Sequence, residues 1–131
     1  MKLLLDTHIW IWDSMEPGRI KPEVSRELDN PENTRYLSAV SIWELGLLVE
    51  KKKMQLHEPF DSWIERSQAS LLLEEVALTW SVAREERAMG WSHKDPADRF
   101  LVATARVFGL TLVTADEQLK NAPGIAVLAN G

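Results

Sequence analysis

Four acidic residues stand where their carboxylates could act together. Asp6 directly follows a run of three leucines, and Asp116 closely follows a second apolar run. Glu44 and Asp98 lie in stretches typical of the first turns of helices. Carboxylates packed within a few ångströms repel one another, and a divalent cation removes that repulsion. Without cysteine, such an oxygen-only site favours a hard ion, Mg²⁺ or Mn²⁺, which activates water and neutralises a phosphodiester in its transition state.

Each of these acids also has a purely structural interpretation. Asp6 could be the N-cap of a helix, and Glu44 could close an S-x-x-E capping box with Ser41. Asp95 could cap the next helix, with Asp98 in its first turn, where the helix dipole favours a negative charge. The stretch TADE would place the fourth acid in another capping box. Caps normally mix Ser, Thr, Asn and Asp on both edges of a sheet, so acids gathered on one edge favour a shared site.

The elements that must position these acids alternate between short apolar runs and helical patterns. The predicted strands are Leu3–Leu5, Arg35–Leu37, Leu72–Val76, Leu110–Val113 and Ile125–Leu128. The predicted helices are Thr7–Asp13, Lys21–Leu28, Val40–Lys52, Pro59–Gln68, Thr79–Met89, Pro96–Phe108 and Asp116–Asn121. This alternation predicts an α/β fold, a mostly parallel sheet with helices on both faces. Ligands of such sheets bind at the edge where the parallel strands end, which is where the acids are expected.

Length and composition indicate one ordinary globular domain over residues 1–131. The hydrophobic fraction is 45%, the charged fraction is 27%, and there is no cysteine, which excludes disulfides and fits a reducing cytoplasm. No apolar run approaches the ~18 residues of a membrane span. The N-terminal stretch MKLLLDTHIW is too short and too acidic for a signal peptide. We therefore expect a cytoplasmic protein with no membrane partner.

The net charge of −5 argues at first against a nucleic-acid partner. Proteins that bind nucleic acid usually carry a basic surface. If the acids hold cations, however, an acidic protein can meet RNA or DNA through the metal. The charge and the proposed metal site are therefore compatible.

Four stretches of this chain resemble the signature blocks of PIN-domain nucleases, and more narrowly those of the VapC toxins of bacterial toxin–antitoxin pairs. These stretches are LLLDTHIWIW, SAVSIWELGLLVEKKKM, HKDPADRFLVATA and LTLVTADEQL, and the resemblance runs from residue 3 to about residue 128. It implies a three-layer α/β/α sandwich with a five-stranded parallel sheet. It also implies Mg²⁺- or Mn²⁺-dependent endoribonuclease activity that leaves 5′-phosphate and 3′-hydroxyl ends. The implied partners are an RNA substrate, a cognate antitoxin and a second copy of the chain, in a homodimer or a larger toxin–antitoxin assembly.

The resemblance also assigns roles to individual residues. Carried over by matching position, the metal-binding and catalytic acids are Asp6, Glu44, Asp98 and Asp116. Further candidates for support of the site, from their places beside these acids, are Thr7, Asp95, Arg99 and Thr114. The two threonine hydroxyls could orient a water or a carboxylate, and the arginine could pair with a carboxylate or reach RNA.

Lysines at the end of the predicted third helix are candidates for RNA phosphate contacts. They are the consecutive residues Lys51, Lys52 and Lys53. Each contact of this kind would make RNA binding salt-dependent. The structural alternative is a solvated helix end, where the helix dipole favours positive charge.

The histidines and tryptophans say less about function than the acids do. His8, His57 and His93 do not follow a metal-ligand spacing such as H-x-x-x-H, which argues against zinc. Tryptophans at helical spacing usually lie in a core or an interface, as expected of Trp10, Trp43 and Trp63. Two others, Trp12 and Trp91, are candidates for an antitoxin or dimer surface.

Three other functions remain open from the sequence. A metal-dependent phosphatase on an α/β sheet often carries D-x-D after its first strand, whereas here the residues are Asp6, Thr7 and His8. A PIN-like DNA nuclease would use the same acids on another polymer. A silent RNA- or protein-binding module would keep the fold without the metal, and the presence of all four acids argues against it.

Overall fold

A computed structural model describes residues 1–131 as a five-stranded sheet with six α-helices. The strands are β1 (Lys2–Leu5), β2 (Thr34–Ser38), β3 (Leu73–Val76), β4 (Thr111–Thr114) and β5 (Val127–Ala129). The α-helices are α1 (Thr7–Met15), α2 (Pro22–Asp29), α3 (Ala39–Glu50), α4 (Phe60–Ser70), α5 (Trp80–Ala88) and α6 (Pro96–Phe108). A single 3₁₀ turn, Pro17–Arg19, separates α1 from α2. None of the helices combines the length and the apolar character needed to cross a membrane.

The sheet has the strand order β3-β2-β1-β4-β5, and every neighbouring pair is parallel. The central strand is β1, so the residue that follows it emerges in the middle of the carboxyl edge. The next strand, β4, ends beside it, with Leu5 in register with Val113. The predicted α/β fold with five parallel strands is confirmed.

Two separate hydrophobic cores make the molecule three layers thick. Successive side chains of a strand point to opposite faces of the sheet. Accordingly Leu3 and Leu5 pack into one core with Trp10 and Trp63, while Leu4 packs into the other core. The second core is formed mainly with α5 and α6 and with residues of β4. Burial on both faces explains why β1 is an unbroken apolar run.

The predicted helix Asp116–Asn121 is wrong, because this segment forms turns. The amide of Asp116 donates to Thr114 Oγ1 at 3.0 Å, and Asp116 Oδ1 in turn accepts from the amide of Gln118 at 2.9 Å. Aspartate side chains that bond to nearby amides in this way stabilise turns and compete with the helix. The acid that the sequence placed inside a helix therefore lies in a turn just beyond β4.

One tryptophan expected in a core or an interface is not in either core. Trp43 in α3 is 57% exposed, whereas Trp10 and Trp63 are almost fully buried and meet edge to face with ring centroids 5.3 Å apart. The indole N–H of Trp10 donates to Ser67 Oγ at 2.9 Å. Helical spacing identified the apolar face of α3 only approximately, since this tryptophan lies beside that face rather than on it.

Candidate active site

The first acid lies at the centre of the carboxyl edge. Asp6 follows β1, and its amide donates to the carbonyl of Val113, which ties it to the end of β4. Its carboxylate is only 6% exposed and accepts a hydrogen bond from Thr114 Oγ1 at 2.7 Å. Although Asp6 occupies the N-cap position of α1, its side chain makes no cap hydrogen bond. The carboxylate is therefore held by a hydroxyl of the neighbouring strand and is not used to start the helix.

The second acid is linked to the start of α1. Thr7 Oγ1 lies 2.5 Å from Glu44 Oε1 and 2.9 Å from Ser41 Oγ. The capping box between Ser41 and Glu44, the structural alternative for this acid, does not form, because the N-cap of α3 is Ser38, which accepts from Val40 N. Glu44 thus stands one turn inside α3, with its carboxylate free of any capping role.

The third and fourth acids differ in their surroundings. Asp95 caps α6, as the capping interpretation proposed, because its Oδ1 accepts from the amides of Ala97 and Asp98. This cap leaves the Asp98 carboxylate free, and its Oδ2 lies 2.9 Å from His93 Nε2. By contrast, Asp116 is exposed in the turn after β4.

These carboxylates are electrostatically coupled to one another. The pKa of Glu44 is raised to about 7, mainly by burial and also by the nearby Asp6 and Asp98, although the hydrogen bond from Thr7 lowers it. Burial also raises the pKa of Asp98 to about 6, with contributions from Asp95 and Asp6. The pKa of Asp6 is raised first by burial and, to a smaller extent, by Asp116. These four acids and the helix cap Asp95 therefore border one region and repel each other within it. This region, here called the acidic edge, consists of Asp6, Glu44, Asp95, Asp98 and Asp116.

No arginine or lysine compensates the acidic edge. Among the ion pairs of the molecule, none includes Asp6, Glu44 or Asp116, and the pair made by Asp98 is with a histidine. Buried carboxylates are normally paired or bound to a metal. The donor set, which consists of carboxylate oxygens with threonine hydroxyls nearby, matches the preference of Mg²⁺ and Mn²⁺ for oxygen ligands.

The side chains surround this region without closing on a single point. No three histidine, aspartate or glutamate side chains are close enough together to hold one ion directly. Mg²⁺ commonly keeps several waters and binds through only one or two carboxylates. The arrangement therefore fits an ion held partly through water, and it does not fit a fully protein-lined cage.

Arg99, predicted to pair with a carboxylate or to reach RNA, pairs with a carboxylate outside the acidic edge. Arg99 does not contact the carboxylates of the acidic edge. Its guanidinium pairs with Glu86 at 2.7 Å and donates to the carbonyls of Trp91 and His93. It thus fixes the loop before α6. Trp91, the candidate for a partner surface, is partly exposed, and its ring stacks on His93 with centroids 4.6 Å apart and an interplanar angle of 17°. Its contact with a partner stays a prediction.

The three lysines after α3 separate into two groups. Lys51 and Lys53 line a cavity of about 560 Å³ together with Glu44 and Lys94. Lys52 lines a different cavity, bordered by Val49, Met54 and Leu56 among others. Two of the three predicted RNA-contact residues therefore stand beside the acidic edge, and one does not.

Sequence reasoning missed the role of His93 and the meeting of Thr7 with Ser41. Neither follows from a periodic pattern. His93 reaches Asp98 from the loop before α6, so the separation of five residues between them does not correspond to neighbouring positions on a helix. The two hydroxyls are 34 residues apart in the chain and meet only because α1 and α3 converge at the same edge. The available signal for the histidine was its position two residues before the N-cap of α6.

Comparisons with known proteins agree with the fold. The family model described as the PIN domain matches residues 3–125. Ribonuclease VapC22 of Mycobacterium tuberculosis is 36% identical over 120 residues, which cover 91% of this chain and 90% of that protein. The crystal structure of VapBC2 from Rickettsia felis bound to a promoter DNA fragment superposes with a TM-score of 0.75 at 19% identity, covering 98% of both chains. A toxin–antitoxin complex from Klebsiella pneumoniae superposes with a TM-score of 0.65 at 20% identity, again covering 98% of both chains.

The family match at residues 3–125 includes all four acidic stretches, and the relative from Mycobacterium tuberculosis matches 91% of this chain. The resemblance inferred from the four sequence blocks is therefore confirmed. This chain belongs to the PIN-domain family, and within that family it is similar to the VapC-type members.

Proposed function

We propose that this protein is a metal-dependent endoribonuclease of the VapC type whose activity is held in check by a cognate antitoxin. The observation that carries the proposal is the acidic edge, where largely buried carboxylates repel one another and none forms an ion pair with an arginine or lysine. Support also comes from the 36% identity to a protein named as a ribonuclease. A cytoplasmic location stays a prediction.

The residues that would hold the metal are the four predicted acids. Asp6, Glu44 and Asp98 border the same region and would bind one ion directly or through water. Asp116, which is coupled to Asp6, would complete that site or hold a second ion. The bound ion supplies a water of lowered pKa and neutralises charge on the phosphodiester. The side chains supply no nucleophile of their own.

The threonines set the positions of these carboxylates. Thr114 donates to Asp6, and Thr7 donates to Glu44, so each hydroxyl fixes one acid from a neighbouring element. Each of these hydrogen bonds occupies one carboxylate oxygen. Fixed outer hydrogen bonds of this kind orient metal ligands and are a regular part of metal sites.

Cationic side chains beside the acidic edge are an argument for a polyanionic substrate. Lys51, Lys53 and Lys94 share one cavity with Glu44, and none of them is committed to an ion pair. Free cations next to a metal site can bind the phosphates that flank the bond to be cut. An acidic protein would thus bind RNA through the metal and through this small group of lysines.

Exposed apolar side chains support a protein partner. A cavity of about 320 Å³ is lined almost entirely by apolar residues, among them Trp43, Leu78 and Phe100. Trp80 nearby in the chain is 90% exposed. Clusters of exposed apolar groups usually mark protein–protein contacts. Together with the similarity to a toxin–antitoxin complex, this supports the proposed antitoxin and a homodimer or larger assembly.

The test is cleavage of matched single-stranded RNA and DNA during a Mg²⁺ or Mn²⁺ titration after removal of metal. We expect cleavage of RNA by the parent protein only when metal is present. Asp6→Asn should abolish it, whereas Asp61→Asn, which changes an exposed acid in the first turn of α4, should cleave like the parent.

Each alternative has its own outcome in that experiment. Equal cleavage by the parent and Asp6→Asn would end the assignment of the site. Cleavage without any metal would end the metal-dependent mechanism. Faster cleavage of DNA than of RNA would replace the proposal by a DNA nuclease.

A further inference from the structure

A histidine outside the four acids makes the closest polar contact to one of them. His93 Nε2 lies 2.9 Å from Asp98 Oδ2, and the two side chains are only 11% and 13% exposed. Because an ionised carboxylate can only accept, the imidazole Nε2 must carry the proton in this hydrogen bond. The other oxygen, Asp98 Oδ1, accepts no hydrogen bond from the protein and is not a buried atom. One oxygen is therefore fixed, and the other is left open to solvent.

The imidazole ring is itself held in place on one face. Trp91 stacks on it with a centroid distance of 4.6 Å and nearly parallel planes. Trp91 also packs against the core formed with α5 and α6. The ring of His93 is consequently fixed between a packed indole and the carboxylate that it contacts.

The loop that carries this histidine is fastened by an arginine. Arg99 Nη1 donates to the carbonyl of Trp91 at 2.5 Å and to that of His93 at 2.8 Å. The same guanidinium pairs with Glu86 in α5 at 2.7 Å and donates to its carbonyl at 3.0 Å. Both ends of this ion pair are largely buried. The contacts thus run without interruption from α5 through the loop to the carboxylate of Asp98.

We propose that His93 is a positioning residue that sets the orientation of the Asp98 carboxylate for metal binding, an inference that rests on the proposed nuclease function. A side chain that donates a hydrogen bond to one oxygen of a carboxylate limits the rotation of that carboxylate and keeps its other oxygen available to a metal ion. Removal of such a partner typically lowers metal affinity or activity by about 10- to 100-fold. The hydrogen bond from His93 also lowers the pKa of Asp98, in opposition to the stronger effect of burial.

Three variants separate the hydrogen bond from the stacking. His93→Phe keeps an aromatic ring against Trp91 but removes the donor, and His93→Gln keeps an N–H of similar reach but removes the ring. His57→Gln is the matched control, because His57 is exposed and makes no side-chain hydrogen bond. Mn²⁺ affinity is measured by calorimetry on the protein without RNA, followed by kcat and KM for RNA cleavage and the melting temperature of each variant.

We expect His93→Phe to bind Mn²⁺ about 10- to 100-fold more weakly than the parent and to lose kcat with little change in KM. His93→Gln should stay within about threefold of the parent, and His57→Gln should match it. Parent-like Mn²⁺ affinity in His93→Phe would overturn the inference. A loss in His93→Gln with full affinity in His93→Phe would also overturn it, since stacking alone would then be responsible.

The outcomes also separate this inference from the proposed function. If the parent binds Mn²⁺ and cleaves RNA while His93→Phe equals it, only the role of His93 fails. If the parent neither binds Mn²⁺ nor cleaves RNA, the metal site fails and the positioning role fails with it. Asp98→Asn serves as the reference for full loss of this ligand, so His93→Phe should fall between it and the parent.

Discussion

The two edges of the same sheet hold buried carboxylates in opposite electrostatic surroundings. At the carboxyl edge, Asp6 and Glu44 lie among other acids. At the opposite edge, Asp13 near the end of α1 lies 3.9 Å from Arg35 at the start of β2, and Arg35 is also 4.0 Å from Asp29. Burial raises the pKa of Asp13 as well, but there the nearby guanidinium lowers it.

The difference shows that burial of an acid does not by itself indicate function. Both edges contain acids whose pKa is raised mainly by burial. What distinguishes them is the sign of the neighbouring charges. Asp13 has a cationic neighbour within the fold, although its Oδ2 accepts no hydrogen bond. No arginine or lysine forms an ion pair with the acids of the acidic edge. Their pKa values stay raised even though His8 acts on Asp6 and His93 on Asp98, so further balancing charge must come from outside the chain.

The largest expected effect is on catalysis. Asp6→Asn should lower the rate of RNA cleavage by about 1000-fold, because a metal supplies several kcal/mol of transition-state stabilisation and each 1.36 kcal/mol is tenfold in rate. Asp13→Asn should leave the rate within about threefold, since Asp13 lies at the other edge. Single-turnover cleavage assays check both. A comparable loss in the two variants would remove the distinction between the edges.

The next effect is on folding at the opposite edge. Arg35→Leu should lower the free energy of unfolding by about 2 kcal/mol, because it leaves a buried carboxylate without its cation. The value lies below the usual range for buried pairs because the contact is long, at 3.9 Å. Arg66→Leu is the control, since Arg66 pairs with Glu58 in solvent and its loss should change the free energy of unfolding much less. Urea unfolding measures both, and equal losses would contradict the role given to Arg35.

The third prediction concerns pH. In metal-free protein the pKa values of Glu44 and Asp98 are raised to about 7 and about 6 from 4.5 and 3.8. A carboxyl whose folded-state pKa is raised stabilises the fold at low pH, and this contribution is lost as the pH rises through the folded-state value. Metal-free protein should therefore become less stable as the pH rises from about 4, near the unfolded-state pKa values, to about 7, the folded-state pKa of Glu44. Urea unfolding across this range tests it, and Glu44→Gln should flatten the dependence; an unchanged slope would contradict it.

The smallest effect concerns substrate binding beside the acidic edge. Lys53→Ala should weaken RNA binding a few-fold. It should also reduce the slope of log affinity against log salt concentration by about 1, the value expected for one lost phosphate contact. Lys52→Ala is the matched control, because Lys52 lines another cavity and should leave both quantities unchanged. Binding of uncleaved RNA to Asp6→Asn carrying each substitution, measured at several salt concentrations, checks the difference. Equal effects would mean that the lysines act only through net charge.

The sequence was sufficient for the sheet and for the position of the acids at its carboxyl edge, because both depend on local patterns; the role of the acids stays a prediction. Unbroken apolar runs predicted the buried strands, and the acids after β1 and β4 follow from the direction of parallel strands. The predicted helix at Asp116 failed for a physical reason. The same aspartate that favours a helix start also bonds to the amide of Gln118 and stabilises a turn.

The contacts between distant segments were not predictable from local patterns. Thr7 meets Glu44 only because α1 and α3 pack together, and Arg99 turns toward Glu86 rather than toward its neighbour Asp98. The alternative capping box at Ser41 does not form, because α3 starts earlier than its apolar pattern suggests. Side-chain partners depend on tertiary packing, which a single sequence does not display.

The most direct test of the unbalanced acidic edge is thermal melting of the parent and Glu44→Gln with and without Mn²⁺ at a pH above 7. We expect Mn²⁺ to raise the melting temperature of the parent, and we expect Glu44→Gln to melt higher than the parent when metal is absent. In Glu44→Gln the stabilisation by Mn²⁺ should shrink, because one ligand is gone. A parent protein that Mn²⁺ does not stabilise, and that loses stability when Glu44 is neutralised without metal, would contradict the account.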